Sequence, residues 1–345
     1  MTTATLLKHW TIFCRVVDNY GDIGVCWRLA AQLAERGHRV TLYVDDASAL
    51  EWMAPQGAPS VTLLPWPAEQ ASFEASQEAQ VVIEAFGCSL PHSYQAAMAA
   101  WQAAPVWINL EYFSAEDQAL RNHGLPSPVL HGPAMGLTKW FFYPGLSEKS
   151  GGLLRGPSPQ AEMASTSLRI SVFCYEPASL GAWLKQLNEL PHTVCLQVTA
   201  GRVAQAVRLA MQGLGREHQL EVNELPYLSH TEFDELLAAQ DLNLVRGEDS
   251  LARAIWAGKA FLWQIYPQDD GAHLPKLMAF LKTSQAPAVV VQAHLAWNAD
   301  QVTALPVLST AVLKEWTQWA QDLRERLSQQ TDLITRLESW VAAHG

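Results

Sequence analysis

Two short polar turns carry the residue types that could do chemistry. The first is Arg246-Gly247-Glu248-Asp249-Ser250, set between an apolar strand, Asp241-Leu-Asn-Leu-Val245, and the helical run Leu251 to Gly258. A strand that turns directly into a helix presents unbonded backbone N–H groups and the positive end of the helix dipole at one point, which suits an anion. Arg246 adds a planar, permanently charged donor matched to phosphate. The second turn, Val17-Asp18-Asn19-Tyr20-Gly21-Asp22-Ile23-Gly24, is acidic. It has the chemistry to hold a cation or to take a proton. Asp18 and Asp22 could act as paired carboxylates, for general-base work or for a grip on a guanidinium. Equally, Asp22 could be only a helix N-cap and Asp18 only a turn residue. The spacing of Gly21 and Gly24 does not match a dinucleotide-binding glycine loop, and two acids would repel a pyrophosphate.

Aromatic residues follow the strands near the first turn. Phe173 and Tyr175 come after an apolar run from Leu168, and Tyr227 follows Leu225-Pro226. Each could stack on a nucleobase, although core packing is the commoner fate of an aromatic ring. Glu248 and Asp249 are acids beside a phosphate site, yet acids are favoured in the first turn of a helix. They could hydrogen-bond sugar hydroxyls while Ser250 and the backbone serve the phosphates. Arg246 after a strand could instead merely make a surface salt bridge, the less favoured reading. His273 is a lone histidine after Trp263-Gln-Ile-Tyr-Pro-Gln-Asp-Asp270, and lone histidines are usually structural. The adjacent pairs Asp45-Asp46 and Asp269-Asp270 lack the Asp-x-Asp spacing of metal-dependent sugar transferases. Arg246 and a helix N-terminus could neutralise a diphosphate instead, so a metal-independent site is expected.

The elements that must position these turns alternate. Strands are expected at 9–17, 39–44, 61–66, 81–86 and 106–110, with a helix over 22–35 that ends at Arg36-Gly37. Residues 144–167, with Pro144-Gly145, Gly151-Gly152 and Pro157-Ser-Pro159, interrupt the pattern. The domain boundary is placed there, giving domains over 1–160 and 161–327. Alternation restarts with strands at 168–175, 193–199, 221–225, 242–245 and 260–265. Short apolar strands joined through helices predict an α/β chain of two facing, doubly wound Rossmann-like domains with a cleft between them. Residues 311–343 read as one or two amphipathic helices.

Composition narrows the function classes. The chain has 345 residues, 49% of them apolar, so it can build two sizeable cores. A net charge of −11 argues against a nucleic-acid binder. The five cysteines are scattered, with no Cys-x-x-Cys pair, which points away from a structural zinc and toward reduced thiols in a cytoplasmic protein. No window approaches the roughly 18 apolar residues of a membrane span, and no signal peptide is evident.

The segments Ile12 to Arg28, Val245-Arg-Gly-Glu-Asp-Ser250 and Trp263-Gln-Ile-Tyr-Pro-Gln268 closely resemble the EarP family of bacterial protein-arginine rhamnosyltransferases. The resemblance runs through nearly the whole chain in order. It implies a GT-B architecture in which the C-terminal helix, about 328–345, packs back on the first domain. It implies dTDP-β-L-rhamnose as donor substrate with no cofactor or metal, and an arginine of translation elongation factor P as acceptor, modified with inversion. By motif position, Asp18 and Asp22 match the acidic pair, with Asp22 the base. Arg246, Glu248, Asp249 and Ser250 match the donor-diphosphate motif. Phe173, Tyr175, Tyr227 and Gln264 match donor-binding positions, Tyr227 standing where a Phe is common. Two rivals remain open on the residues alone: a GT-B transferase with another nucleotide sugar or a small-molecule acceptor, and a non-catalytic protein that clamps a translation factor.

Overall fold

The computed structural model describes residues 7–17, 20–157, 167–214, 219–268 and 271–345. The chain forms two compact units, one of residues 1–154 with 330–345 and the other of residues 155–329.

The first unit runs β1 (His9–Cys14), α1 (Gly21–Glu35), β2 (Arg39–Val44), α2 (Leu50–Met53), β3 (Val61–Pro65), β4 (Val81–Ala85), α3 (His92–Ala100), β5 (Val106–Leu110), α4 (Asp117–Asn122), β6 (Pro126–Pro128) and β7 (Thr138–Phe142). Its sheet has the order β3-β2-β1-β4-β5-β7-β6 and is parallel except for the β6–β7 pair. Both faces are covered, as a parallel sheet requires. Trp10, Ile12 and Cys14 of β1 point into one core with Ile23, Cys26 and Leu33 of α1. Phe13 points into the other, with Tyr94 and Met98 of α3. The helix α1 stops where Gly37, at φ 91°, lets the Gly37 and His38 N–H groups turn back onto the carbonyls of Ala34 and Leu33.

The second unit runs β8 (Leu168–Val172), α5 (Leu180–Asn188), β9 (Val194–Val198), α6 (Arg202–Gln212), β10 (Leu220–Glu224), α7 (His230–Ala239), β11 (Leu242–Arg246), α8 (Gly247–Ala257), β12 (Ala260–Gln264), α9 (His273–Thr283), α10 (Ala288–Trp297) and α11 (Thr310–Ser328). Its five strands are all parallel, in the order β10-β9-β8-β11-β12. Both sheets therefore reverse strand order once, between β1 and β4 and between β8 and β11. Ligands of such sheets bind beyond the strand carboxyl ends at these reversals.

The final helix, α12 (Leu333–His344), belongs to the first unit. Leu333, Ile334, Leu337 and Val341 enter the α1 side of that core, each at most 1% exposed. Arg36 pairs with Asp332 and Glu338, and His38 Nε2 meets Glu338 Oε1 at 3.0 Å. Among the described residues no helix is long and apolar enough to cross a membrane.

Several elements differ from the sequence reading. The first strand stops at Cys14 because the Val16 and Val17 N–H groups leave the ladder for side-chain carboxylates. The strand expected over 168–175 stops at Val172, which puts Phe173 and Tyr175 in the loop. The strands β6 and β7 were not anticipated.

Candidate functional site

In the first unit the acidic turn follows β1 at the reversal point. Asp22 lies in the first turn of α1 and is 2% exposed. It is not the N-cap, a position held by Tyr20 without a side-chain cap. Its Oδ2 accepts the Val17 N–H at 2.8 Å, and Asp45 Oδ1 accepts the Val16 N–H at 2.9 Å. Two carboxylates thus tie down the chain leaving β1. Tyr20 packs edge-on against Trp52 with centroids 5.1 Å apart. Asp18 lies outside the described residues. The neighbouring thiol of Cys26 is pushed well up, chiefly by burial and next by Cys14, so it stays protonated.

In the second unit the turn after β11 is built around Arg246. The end of a buried strand and the start of a buried helix meet at Gly247, whose φ of 59° is the left-handed conformation a glycine tolerates. The Gly247 carbonyl accepts the Trp263 Nε1–H at 2.7 Å, which fixes the peptide between Gly247 and Glu248. The Ser250 hydroxyl accepts the Arg246 N–H at 3.0 Å and donates to the Arg246 carbonyl. The Arg246 guanidinium lies over Phe173 at 4.8 Å and over Tyr175 at 4.7 Å from the ring centroids. Those rings exit the adjacent strand β8, so the cation sits at the second reversal point. Between them, burial pushes the Cys174 thiol up to about 12 against the opposing pull of Arg246.

The two acids of this turn are each met by a base. Glu248 Oε1 lies 3.8 Å from Lys276 Nζ of α9, and Asp249 Oδ1 lies 3.9 Å from Arg253 Nε one helical turn on. Lys276 and Arg253 thus offset the acids of this turn. Gln264 pairs in register with Arg246 on β12 and is 8% exposed; its Oε1 has no hydrogen-bond partner among the described residues.

The structure therefore brings Arg246, Ser250, Phe173 and Tyr175 into contact and sets Gln264 beside them. Tyr227 follows the edge strand β10 and is half-exposed, two strands from β8. His273 is structural: its Nδ1 accepts the Gln268 N–H at 3.1 Å. Sequence reasoning missed Lys276 and the edge-on packing of Tyr266 against Tyr175, at 5.7 Å. Nothing in the sequence signals Lys276, which is 28 positions from its acid. Among the described residues no three His, Cys, Asp or Glu side chains are grouped to hold a metal ion.

Two units built on largely parallel sheets, each with a strand-order reversal, define the GT-B fold class. The calicheamicin glycosyltransferase CalG4 shares the fold, with a TM-score of 0.51 over 98% of both chains at 14% identity. The chain belongs to the family described as elongation-factor P rhamnosyltransferase EarP, whose profile matches residues 10–342. The protein-arginine rhamnosyltransferase of Pseudomonas aeruginosa is 40% identical, the match covering 97% of this chain and 99% of the relative. A structure solved to give the structural basis for EarP-mediated arginine glycosylation of translation elongation factor EF-P matches with a TM-score of 0.63 and 29% identity. That match covers 97% of this chain and 99% of the other.

Proposed function

We propose that this enzyme transfers L-rhamnose from dTDP-β-L-rhamnose to one arginine side chain of elongation factor P, with inversion and without a metal ion. The observation that carries the donor half is the Arg246 guanidinium, held over Phe173 and Tyr175 at the start of α8. A diphosphate at that helix start meets the positive end of the helix dipole and a fixed cation. As the bond from the sugar C1 to the diphosphate oxygen breaks, charge develops on dTDP where Arg246 and α8 can stabilise it. Gln264 and Ser250 serve the donor in this reading. Glu248 and Asp249 address its sugar hydroxyls, and Tyr227 contributes a ring to the base.

Asp22 and Asp18 act on the acceptor. A guanidinium remains protonated in proteins and its lone pairs are delocalised, so it is a poor nucleophile. Two carboxylates orient it and draw its positive charge to one side. One guanidine nitrogen then attacks C1 from the face opposite the diphosphate, forming the C–N bond as the C–O bond breaks. Asp22 takes the proton that this nitrogen loses. Inversion of a β-linked donor leaves an α-rhamnosyl arginine.

The test is intact-mass analysis of elongation factor P incubated with the enzyme, dTDP-rhamnose and a chelator. Gain of one deoxyhexose on a single arginine supports donor, acceptor and metal independence together. No gain, with dTDP-rhamnose still bound, removes the acceptor. Neither gain nor binding removes the transferase reading.

A further inference from the structure

We propose that Phe86 and Tyr112 form an aromatic seat for the acceptor guanidinium beside Asp22; this deepens the functional reading above and rests on it. Phe86 directly follows β4 and has φ 57°, a conformation bulky residues rarely adopt and one found disproportionately at functional sites. Strand alternation would put its side chain with Glu84, on the α3 side of the sheet. The left-handed turn instead sends the ring to the α1 side, where it packs against the core shared with Ile23 and Cys26. Asp22 opens that same helix.

The ring of Tyr112 reaches the same side from β5. Asn109 and Glu111 lie on the other side, joined by the Asn109 Nδ2–H donating to Glu111 Oε1 at 2.7 Å. Tyr112, the next residue, stacks on Phe86 with centroids 4.6 Å apart and an interplanar angle of 17°. Both rings are partly exposed. The strands β1, β4 and β5 are consecutive neighbours in the sheet. The stacked pair and Asp22 therefore share the carboxyl edge, the reversal point and one face.

Their chemistry is complementary. A carboxylate such as Asp22 binds the edge of a guanidinium, through its N–H groups. An aromatic face binds the flat side, by cation–π attraction and stacking. A lysine ammonium lacks the flat side, so the pair also discriminates arginine from lysine.

The test is a binding cycle by calorimetry, using elongation factor P with its modified arginine intact and with that arginine replaced by leucine. Tyr112→Leu is expected to weaken binding of the intact acceptor about tenfold. It should leave binding of the leucine acceptor and of dTDP-rhamnose unchanged. Tyr112→Phe keeps the ring and should bind like wild type, which separates loss of the seat from loss of folding. No loss with Tyr112→Leu, or an equal loss with both acceptors, overturns the seat. Wild-type mass analysis reports on the parent reading separately: if no deoxyhexose reaches any arginine, that reading fails whatever the cycle gives.

Discussion

The Arg246 guanidinium lies 4.7 Å from the centroid of the Tyr175 ring, joining the exits of two adjacent strands, β11 and β8. The contact holds the cation over the rings of Tyr175 and Phe173. Arg246→Lys keeps the charge and loses the planar fork and the stacking. Its KM for dTDP-rhamnose should rise by about 10- to 100-fold. Steady-state kinetics with the sugar nucleotide varied will check this; an unchanged KM removes the stack from donor binding.

Asp22→Asn should lower kcat by roughly 10²- to 10⁴-fold, the usual worth of a general base. An asparagine Oδ1 can still accept the Val17 N–H that Asp22 Oδ2 holds at 2.8 Å, so the loop should keep its shape. Donor affinity measured by calorimetry should match wild type. Normal turnover by this variant would take Asp22 out of the mechanism.

Acid should weaken the second unit through His294. Its Nε2 accepts the Trp263 N–H at 3.2 Å, and its Nδ1–H donates to the Val290 carbonyl at 2.9 Å, which fixes the neutral ring. Complete burial pushes its pKa down to about 4, against about 6.5 for an unfolded histidine. Between those values the unfolded chain binds the extra proton. Stability is therefore fully present above pH ~6.5 and declines as the pH falls toward 4, by about 3 kcal/mol in all. Denaturant unfolding at several pH values should show this slope. His294→Gln should flatten it while lowering stability at neutral pH.

Leu337→Ala in α12 should destabilise the first unit by about 2–5 kcal/mol, the range for a fully buried leucine. The readout is the thermal midpoint of a transition followed by near-UV signal from Trp10, which is buried in the same core. A midpoint shift of less than a degree would show that α12 only rests on that unit.

Much of the architecture was readable because parallel strands buried on both faces leave plain apolar runs. The segments Arg39–Val44 and Val106–Leu110 form strands with the bounds their residues suggest. What escaped depends on partners distant in sequence. In β7, Lys139 is satisfied by Glu84 Oε1 at 2.9 Å and lies over Trp107, a match 55 positions away that no local pattern carries. The strand β6 is Pro-Ser-Pro, three residues on an antiparallel edge where proline is tolerated. The Arg246–Ser250 turn was legible as a strand-to-helix junction because that geometry is local. Its charge balance was not, since Glu248 and Lys276 meet only when α9 folds against the turn. Asp22 was legible as a carboxylate after a strand. Phe86 was not singled out, since its significance lies in a backbone angle and in a ring from another strand.

Four residues of α12 complete a core begun at Trp10. The interior of the first unit therefore lacks one wall until residues 333–341 have left the ribosome. The second unit, by contrast, is contiguous over residues 155–329 and has its whole core by then. Folding during synthesis thus runs against chain order: the half bearing Arg246 can be native first, while the half bearing Asp22 waits for α12 to close it.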